Sequence, residues 1–220
     1  IVHLFCYFVV LGAMLQSEAL WDRFWNWSLI IAGILTTYAF AQYSGDIATT
    51  QGVRLDGTLG NSAYMAVYML FHIFIAGFMF VRTQNQKLKY VYAGLAILFG
   101  FILLQTATRG AILGCFGGVL VASLYIAFFS RKNKHLRIYA GGLLVALAVL
   151  AGVFFAFRDS SFVQGDVRLA RVANISLSEG ATRLTIWKMA FEGVKERPIL
   201  GWGQGNYDYV FNSHYLPSLY

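Results

Sequence analysis

The residues best suited to chemistry are three arginines, Arg54, Arg109 and Arg183, and one histidine, His214. A guanidinium carries a fixed charge and a planar fork of donors that matches phosphate oxygens two at a time. Arg109 sits between two long apolar runs. At a bilayer centre such a cation costs on the order of 3 kcal/mol or more. A tight return at Thr108-Arg109-Gly110 places it at the membrane boundary instead, either as a snorkelling interfacial cation or as an anion clamp. Arg183 follows Thr182, a candidate N-cap for a helix over 183–197. A cation in that first turn opposes the helix dipole by roughly a few tenths of a kcal/mol. Residues that break a local rule tend to mark sites; the alternative is a solvated surface arginine. Arg54 lies in Gly52-Val53-Arg54-Leu55-Asp56-Gly57, where an ion pair with Asp56 is the simpler reading. His214 is of a residue type that can serve as a general base. A lone histidine beside Tyr215 is more often structural.

Other chemistries find no residues to carry them. The sequence has no Cys/His cluster or HExxH spacing for zinc, so neither a metal nor a cofactor is expected. It has no paired-aspartate motif for a metal-held nucleotide sugar. Gly201-Trp202-Gly203-Gln204-Gly205 follows a helix and Pro198 rather than a strand, so it reads as a tight turn and not as a phosphate loop. Glu192 and Glu196 share a helix face with Lys188 and read as solvated. His72 falls within an apolar run and reads as a hydrogen-bonded interior group. Cys6 and Cys115 read as small buried hydrophobes without a disulfide.

The elements that must position these residues follow from composition. Of 220 residues, 58% are hydrophobic and only 12% charged, and the mean hydropathy is +0.60. Soluble domains are about a quarter charged. An ordinary cytosolic enzyme, a disordered tail and a disulfide scaffold are therefore excluded. A helix needs roughly 20 apolar residues to cross the hydrocarbon. Charge-free runs predict an all-α integral membrane protein, a polytopic helix bundle with six spans at about 1–16, 25–43, 62–81, 90–107, 110–129 and 138–157. Ile1 is not a start methionine and no basic region precedes it, so the first span reads as truncated rather than as a signal peptide. The bundle is expected over 1–157 and a polar, largely extramembrane region over 158–220. Within the latter, 159–180 shows no clear period and reads as mostly loop with room for a short helix. Leu184, Trp187, Phe191 and Val194 form one apolar stripe on the helix that Pro198 stops. That stripe is expected to pack on the ends of the spans or lie in the membrane interface.

Charge sets the orientation. The loops 82–89 and 130–137 carry only cations and belong in the cytoplasm, together with 16–26. Residues 44–61, the turn at Arg109 and 158–220 then lie outside. The net +7 divides as +6 inside and +1 outside, so it is a topology signal and not a nucleic-acid footprint.

Three stretches, in order, complete the reading: Arg54-Leu55-Asp56-Gly57-Thr58-Leu59-Gly60-Asn61, then Thr106-Ala107-Thr108-Arg109-Gly110-Ala111, then Thr182-Arg183 through Trp187 to Arg197-Pro198-Ile199-Leu200-Gly201-Trp202-Gly203. Together they resemble the bacterial O-antigen ligase and O-antigen polymerase family over about residues 50–210. The resemblance implies a multi-pass inner-membrane glycosyltransferase with one large periplasmic loop, metal-independent and inverting. Its donor would be a glycan on undecaprenyl diphosphate. Its acceptor would be lipid A–core, another glycan or a protein. Arg109, Arg183 and, less regularly, Arg54 match the family's arginines and would bind the diphosphate. The family's catalytic histidine occurs in a His-Asn pair, which Asn212-Ser213-His214-Tyr215 does not reproduce. The base is therefore expected beyond Tyr220, and the 220 residues alone are expected to be inactive. A transporter or flippase of lipid-linked saccharide is the alternative. Such proteins place charges and broken helices near the midplane, whereas here the unusual residues gather at one face. A purely structural subunit would leave the arginines without a task.

Overall fold

The computed structural model describes residues 2–130, 134–174 and 177–216, with the side chains of 177–179 excepted. Arg131 and Lys132 of the cationic loop, Glu179 as a side chain, and Pro217 lie outside the described residues. The chain forms α1 (Val2–Met14), α2 (Glu18–Ser44), α3 (Ser62–Arg82), α4 (Gln86–Gln105), α5 (Arg109–Phe129) and α6 (Lys134–Phe157). Then come α7 (Ser161–Gly165), α8 (Val167–Ala173), α9 (Leu177–Glu196) and α10 (Tyr207–Ser213). Five of these, α2 to α6, are long and apolar enough to cross a membrane; α1 is apolar and has 13 residues. The protein is an all-α, multi-pass membrane protein. Hydrocarbon offers backbone groups no partner, so a spanning segment satisfies them internally as a helix.

Short polar signals set the helix ends. The Ser17 hydroxyl accepts from the Leu20 N–H at the start of α2, and Gly45 ends it in the left-handed conformation at φ 91°. Asn61 and Asn85 cap α3 and α4 in the same way, each accepting from an N–H two residues on.

Residues Ile1–Ala173 and Asn174–Tyr220 form two compact units. In the first, Leu29, Met65, Met69, Phe99 and Ile102 form a buried core among α2, α3 and α4. Outward apolar side chains on α5 and α6, such as Val121 and Val145, remain exposed, as a lipid-facing surface requires. A Cβ on Gly118 of α5 would fall 2.6 Å from the Phe74 ring of α3, so these helices approach closely there. Inside the bundle, the Tyr68 carbonyl can only accept, so His72 Nδ1 donates to it at 2.7 Å. His72 Nε2 then accepts from the Ser28 hydroxyl at 2.9 Å. At the end of α3 away from the loop 45–61, Arg82 bonds Glu18 and Asp22, both at 2.6 Å.

Three expectations need correction. Cys6 is exposed on α1 rather than buried, while Cys115 is half-buried. The described residues of 159–180 are largely helical rather than mostly loop. The Ser160 hydroxyl accepts from the Val163 N–H, and Asp166 Oδ1 accepts from the N–H groups of Arg168 and Leu169. These caps start helices too short for a hydrophobic period to reveal. Finally, α9 begins at Leu177, so Thr182 is not its N-cap and Arg183 lies in its second turn. No proline interrupts 177–182, and the helix-forming alanine and leucine there let it extend upstream.

The second unit folds α10 back along α9. A Cβ on Gly193 would fall 2.3 Å from Val210 Cγ1, so only glycine admits this packing. Gly201, Gly203 and Gly205 all have positive φ, and Trp202 Nε1 donates to the Gly193 carbonyl at 3.0 Å. The glycine run is thus a turn that closes on α9. The stripe of Leu184, Trp187, Phe191 and Val194 is exposed, as are Ile199 and Leu200 at the turn.

Candidate functional site

The loop from Gly45 to Asn61 joins α2 to α3 and is organised by a buried carboxylate. Asp56 is fully buried. Its Oδ1 accepts from Gln42 Nε2 at 2.6 Å, and its Oδ2 accepts from the Thr50 N–H at 2.7 Å and from the Thr50 hydroxyl. Gln42 Oε1 in turn accepts from the Gly57 N–H at 2.8 Å. Burial pushes the Asp56 carboxyl up, but the bonds from Thr50 and Gln42 outweigh it and hold the group below its ordinary value.

This network corrects the expected Arg54–Asp56 pair. With Asp56 committed to Gln42 and Thr50, Arg54 turns to the end of α4. Its Nε donates to the Thr106 carbonyl and its Nη2 to the Thr108 hydroxyl, both at 2.9 Å. The adjacent Leu55 N–H donates to the Gln105 carbonyl at 3.3 Å. The cation therefore satisfies the Thr106 carbonyl, and the Leu55 N–H the Gln105 carbonyl, at a helix C-terminus where positive charge is favoured.

The turn itself is Thr106-Ala107-Thr108, two residues earlier than the sequence suggests, and Arg109 is the first residue of α5. Ala107 is buried at φ 48°, an uncommon conformation for a residue with a side chain. Thr108 occupies the N-cap position but makes no side-chain cap, because its hydroxyl serves Arg54. Arg109 thus adds a cation to the positive end of α5. The dipole argument that the sequence attached to Arg183 belongs to Arg109 instead.

Two further arginines join this end of the bundle, neither singled out in the sequence. Arg168 on α8 donates from Nε to the Val53 carbonyl at 2.6 Å and from Nη1 to Gln105 Oε1 at 3.1 Å, and its guanidinium lies 5.1 Å over the Tyr43 ring. Arg109 Nε donates to the carbonyl of Arg171 at 2.6 Å. Burial, and then the positive charge of Arg171, lower the pKa of Arg54. Among the described residues, no carboxylate forms an ion pair with Arg54, Arg168 or Arg171. The signal that could have drawn attention to α8 was Asp166, a cap residue followed by two arginines at i and i+3.

Arg54 and Arg109 are thus brought to one turn of the first unit. Arg183 and His214 belong to the second. Arg183 is exposed on α9. His214 follows α10, with Nε2 at 3.1 Å from Glu196 Oε1, beside a cleft of about 280 Å³ lined in part by Lys188, Met189 and Glu192. Glu192 is bonded by Lys195 at 2.8 and 3.1 Å, so Lys195 rather than Lys188 is its hydrogen-bonded partner. Among the described residues, no group of three or more His, Cys, Asp or Glu side chains could hold a metal ion.

Spanning helices, with arginines gathered at the turn between two of them, define a multi-pass membrane protein. Residues 93–220 match the O-antigen ligase family, and the chain belongs to it. In general terms that membership makes it a glycan-transferring membrane enzyme. No curated protein and no solved structure matches the chain.

Proposed function

We propose that the protein transfers a glycan from undecaprenyl diphosphate to a hydroxyl of lipid A–core, another glycan or a protein, at the periplasmic face of the inner membrane. The acceptor oxygen attacks the anomeric carbon from the side opposite the diphosphate. The carbon–oxygen bond to the diphosphate breaks, its electrons stay on the leaving group, and the hydroxyl proton passes to a general base. Configuration inverts, and no metal takes part. Charge develops on the diphosphate, so fixed cations in a poorly hydrated place stabilise the transition state.

The observation that carries this reading is the meeting of Arg54 and Arg109 at one turn. The partners of Arg54 there are neutral oxygens, and Arg109 stands at the positive end of α5. The resemblance alone supports Arg183 as a further ligand of the same diphosphate. His214 is not assigned as the base, because its Nε2 faces Glu196 and the family's His-Asn pair is not reproduced there. Arg82 at the end of α3 and Lys87 and Lys89 in the first turn of α4, at the opposite end of these helices, support a periplasmic placement of the arginine end.

The test uses the full-length protein in nanodiscs with a purified lipid-linked donor and an acceptor. Arg109→Ala and Arg54→Ala are each expected to lower kcat/KM by about 10²-fold or more. Wild-type turnover by both variants would remove the diphosphate assignment.

A further inference from the structure

The helix α9 has two apolar faces, and its own unit covers only one of them. On the covered face Met189 is buried and Gly193 admits the Val210 side chain of α10. On the other, Leu184, Trp187, Phe191 and Val194 follow one another at helical spacing and are 53–68% exposed. We propose that this second face is a lipid-docking surface. Helix α9 lies in the interface of the membrane that α2 to α6 cross, with its stripe among the upper acyl chains and its cations level with the headgroup phosphates. The surface is independent of the transfer chemistry proposed above.

The charges around the stripe select its occupant. Arg183 precedes Trp187 by one helical turn and borders the stripe on one edge. Lys188 and Lys195 follow Leu184 and Phe191 by one turn and border it on the other. The Lys195 ammonium lies 5.3 Å over the Phe191 ring, so its stem runs along the stripe and its charge stands at the rim. The described acids of α9 lie farther round, toward α10. Glu196 Oε1 is 3.1 Å from His214 Nε2, and Glu192 lines the same cleft beside Met189 and His214. A protein covering this face would strip water from the bordering cations, which is costly unless it supplies matched acids. A bilayer covers the stripe and leaves the same cations at the phosphates. Trp, Phe and Leu on one face with Lys and Arg beside them is the composition of a helix that lies in an interface.

The chain also keeps α9 near a bilayer. Helix α6 crosses the membrane and ends at Phe157, and α9 opens at Leu177. A tether of that length holds the stripe at high effective concentration against the lipid, so modest apolar burial suffices to dock it. The helix does not cross the membrane itself, because Arg183, Lys188, Glu192, Lys195 and Glu196 all fall within it.

The experiment places nitroxide labels, one at a time, at Leu184→Cys, Phe191→Cys and Asp208→Cys of the full-length protein with its native cysteines replaced. The protein is held in nanodiscs of phosphatidylethanolamine and phosphatidylglycerol. Asp208, on α10, is exposed and lies outside the stripe. Power-saturation EPR compares contact with oxygen, which concentrates among acyl chains, and contact with a water-soluble nickel chelate. The stripe labels are expected to favour oxygen, at a depth of about 5–10 Å into the headgroup–acyl boundary. The label at Asp208 is expected to favour nickel. Val194→Cys takes the place of either stripe variant that does not fold. Stripe labels that meet nickel as freely as the one at Asp208 would overturn the proposal, because the face would then stand in water. Stripe labels shielded from both reagents would overturn it too, because protein rather than lipid would then cover the face.

Discussion

One buried carboxylate governs the residues around it. Asp56 stands two positions from Arg54, yet the two do not pair, because Gln42 and Thr50 supply three hydrogen bonds that reach both carboxylate oxygens. Each bond favours the charged form, and together they outweigh burial. The folded pKa therefore lies below the unfolded value of about 3.9. A lowered folded value means stability present above the unfolded pKa and lost as pH falls through the folded one. Thermal unfolding in detergent, followed by tryptophan fluorescence, should show wild-type Tm dropping as pH falls below about 4. Asp56→Asn should lower Tm at pH 7 by the equivalent of about 1–3 kcal/mol, because it leaves buried donors unpaired. It should also flatten the acid limb. An acid limb of unchanged steepness in the variant would refute the role given to Asp56. The consequence for Arg54 is direct: freed from Asp56, its guanidinium reaches across to Thr106 and Thr108.

Among the elements, closeness of approach matters more than apolar content. The helices α5 and α6 expose apolar side chains over much of their surface, so apolar content does not say which face meets a neighbour. Gly118 does say it, because the Phe74 ring occupies the space a side chain would need. Gly118→Leu is expected to destabilise the bundle by about 1–3 kcal/mol through overpacking. Gly141→Leu, where a Cβ meets nothing within 4 Å, serves as the matched control. Equal Tm values for the two variants would show that α3 and α5 do not pack through Gly118. The short helices teach a different lesson. With five and seven residues, α7 and α8 show no period, and their caps Ser160 and Asp166 were the readable signals. Missing α8 meant missing Arg168 and Arg171 as members of the arginine end.

For the molecule as a whole, the question is which face of the membrane holds the arginines. Lys87 and Lys89, in the first turn of α4, and the turn before Arg109 lie at opposite ends of that helix. Cations are retained on the cytoplasmic side, so the proposed orientation puts Gln86 inside. In a variant whose two native cysteines are replaced by alanine, a membrane-impermeant thiol reagent should label Leu200→Cys in intact spheroplasts. It should label Gln86→Cys only after permeabilisation. The reverse pattern would place residues 158–220 in the cytoplasm and overturn a periplasmic reaction. Leu200 suits the purpose because it is 91% exposed.

By itself the sequence determined that the chain is an all-α, multi-pass membrane protein. Long charge-free runs have one economical solution in hydrocarbon, where every backbone group must bond within its own helix. It also pointed to Arg54 and Arg109 through the motifs around them, and to His72 as an interior hydrogen-bonded group. Only the tertiary structure decided what each charge does. The partners of Arg54 lie more than fifty residues away on the α4 turn, and those of Asp56 are Gln42 on the previous helix and Thr50 in its own loop. Local spacing suggested that the two would pair with each other. Partner choice depends on which donors and acceptors remain unsatisfied once helices have packed, and that quantity does not exist until they meet. The same holds for Arg171, an ordinary surface arginine in the sequence, whose backbone Arg109 brings into the cationic end of the bundle.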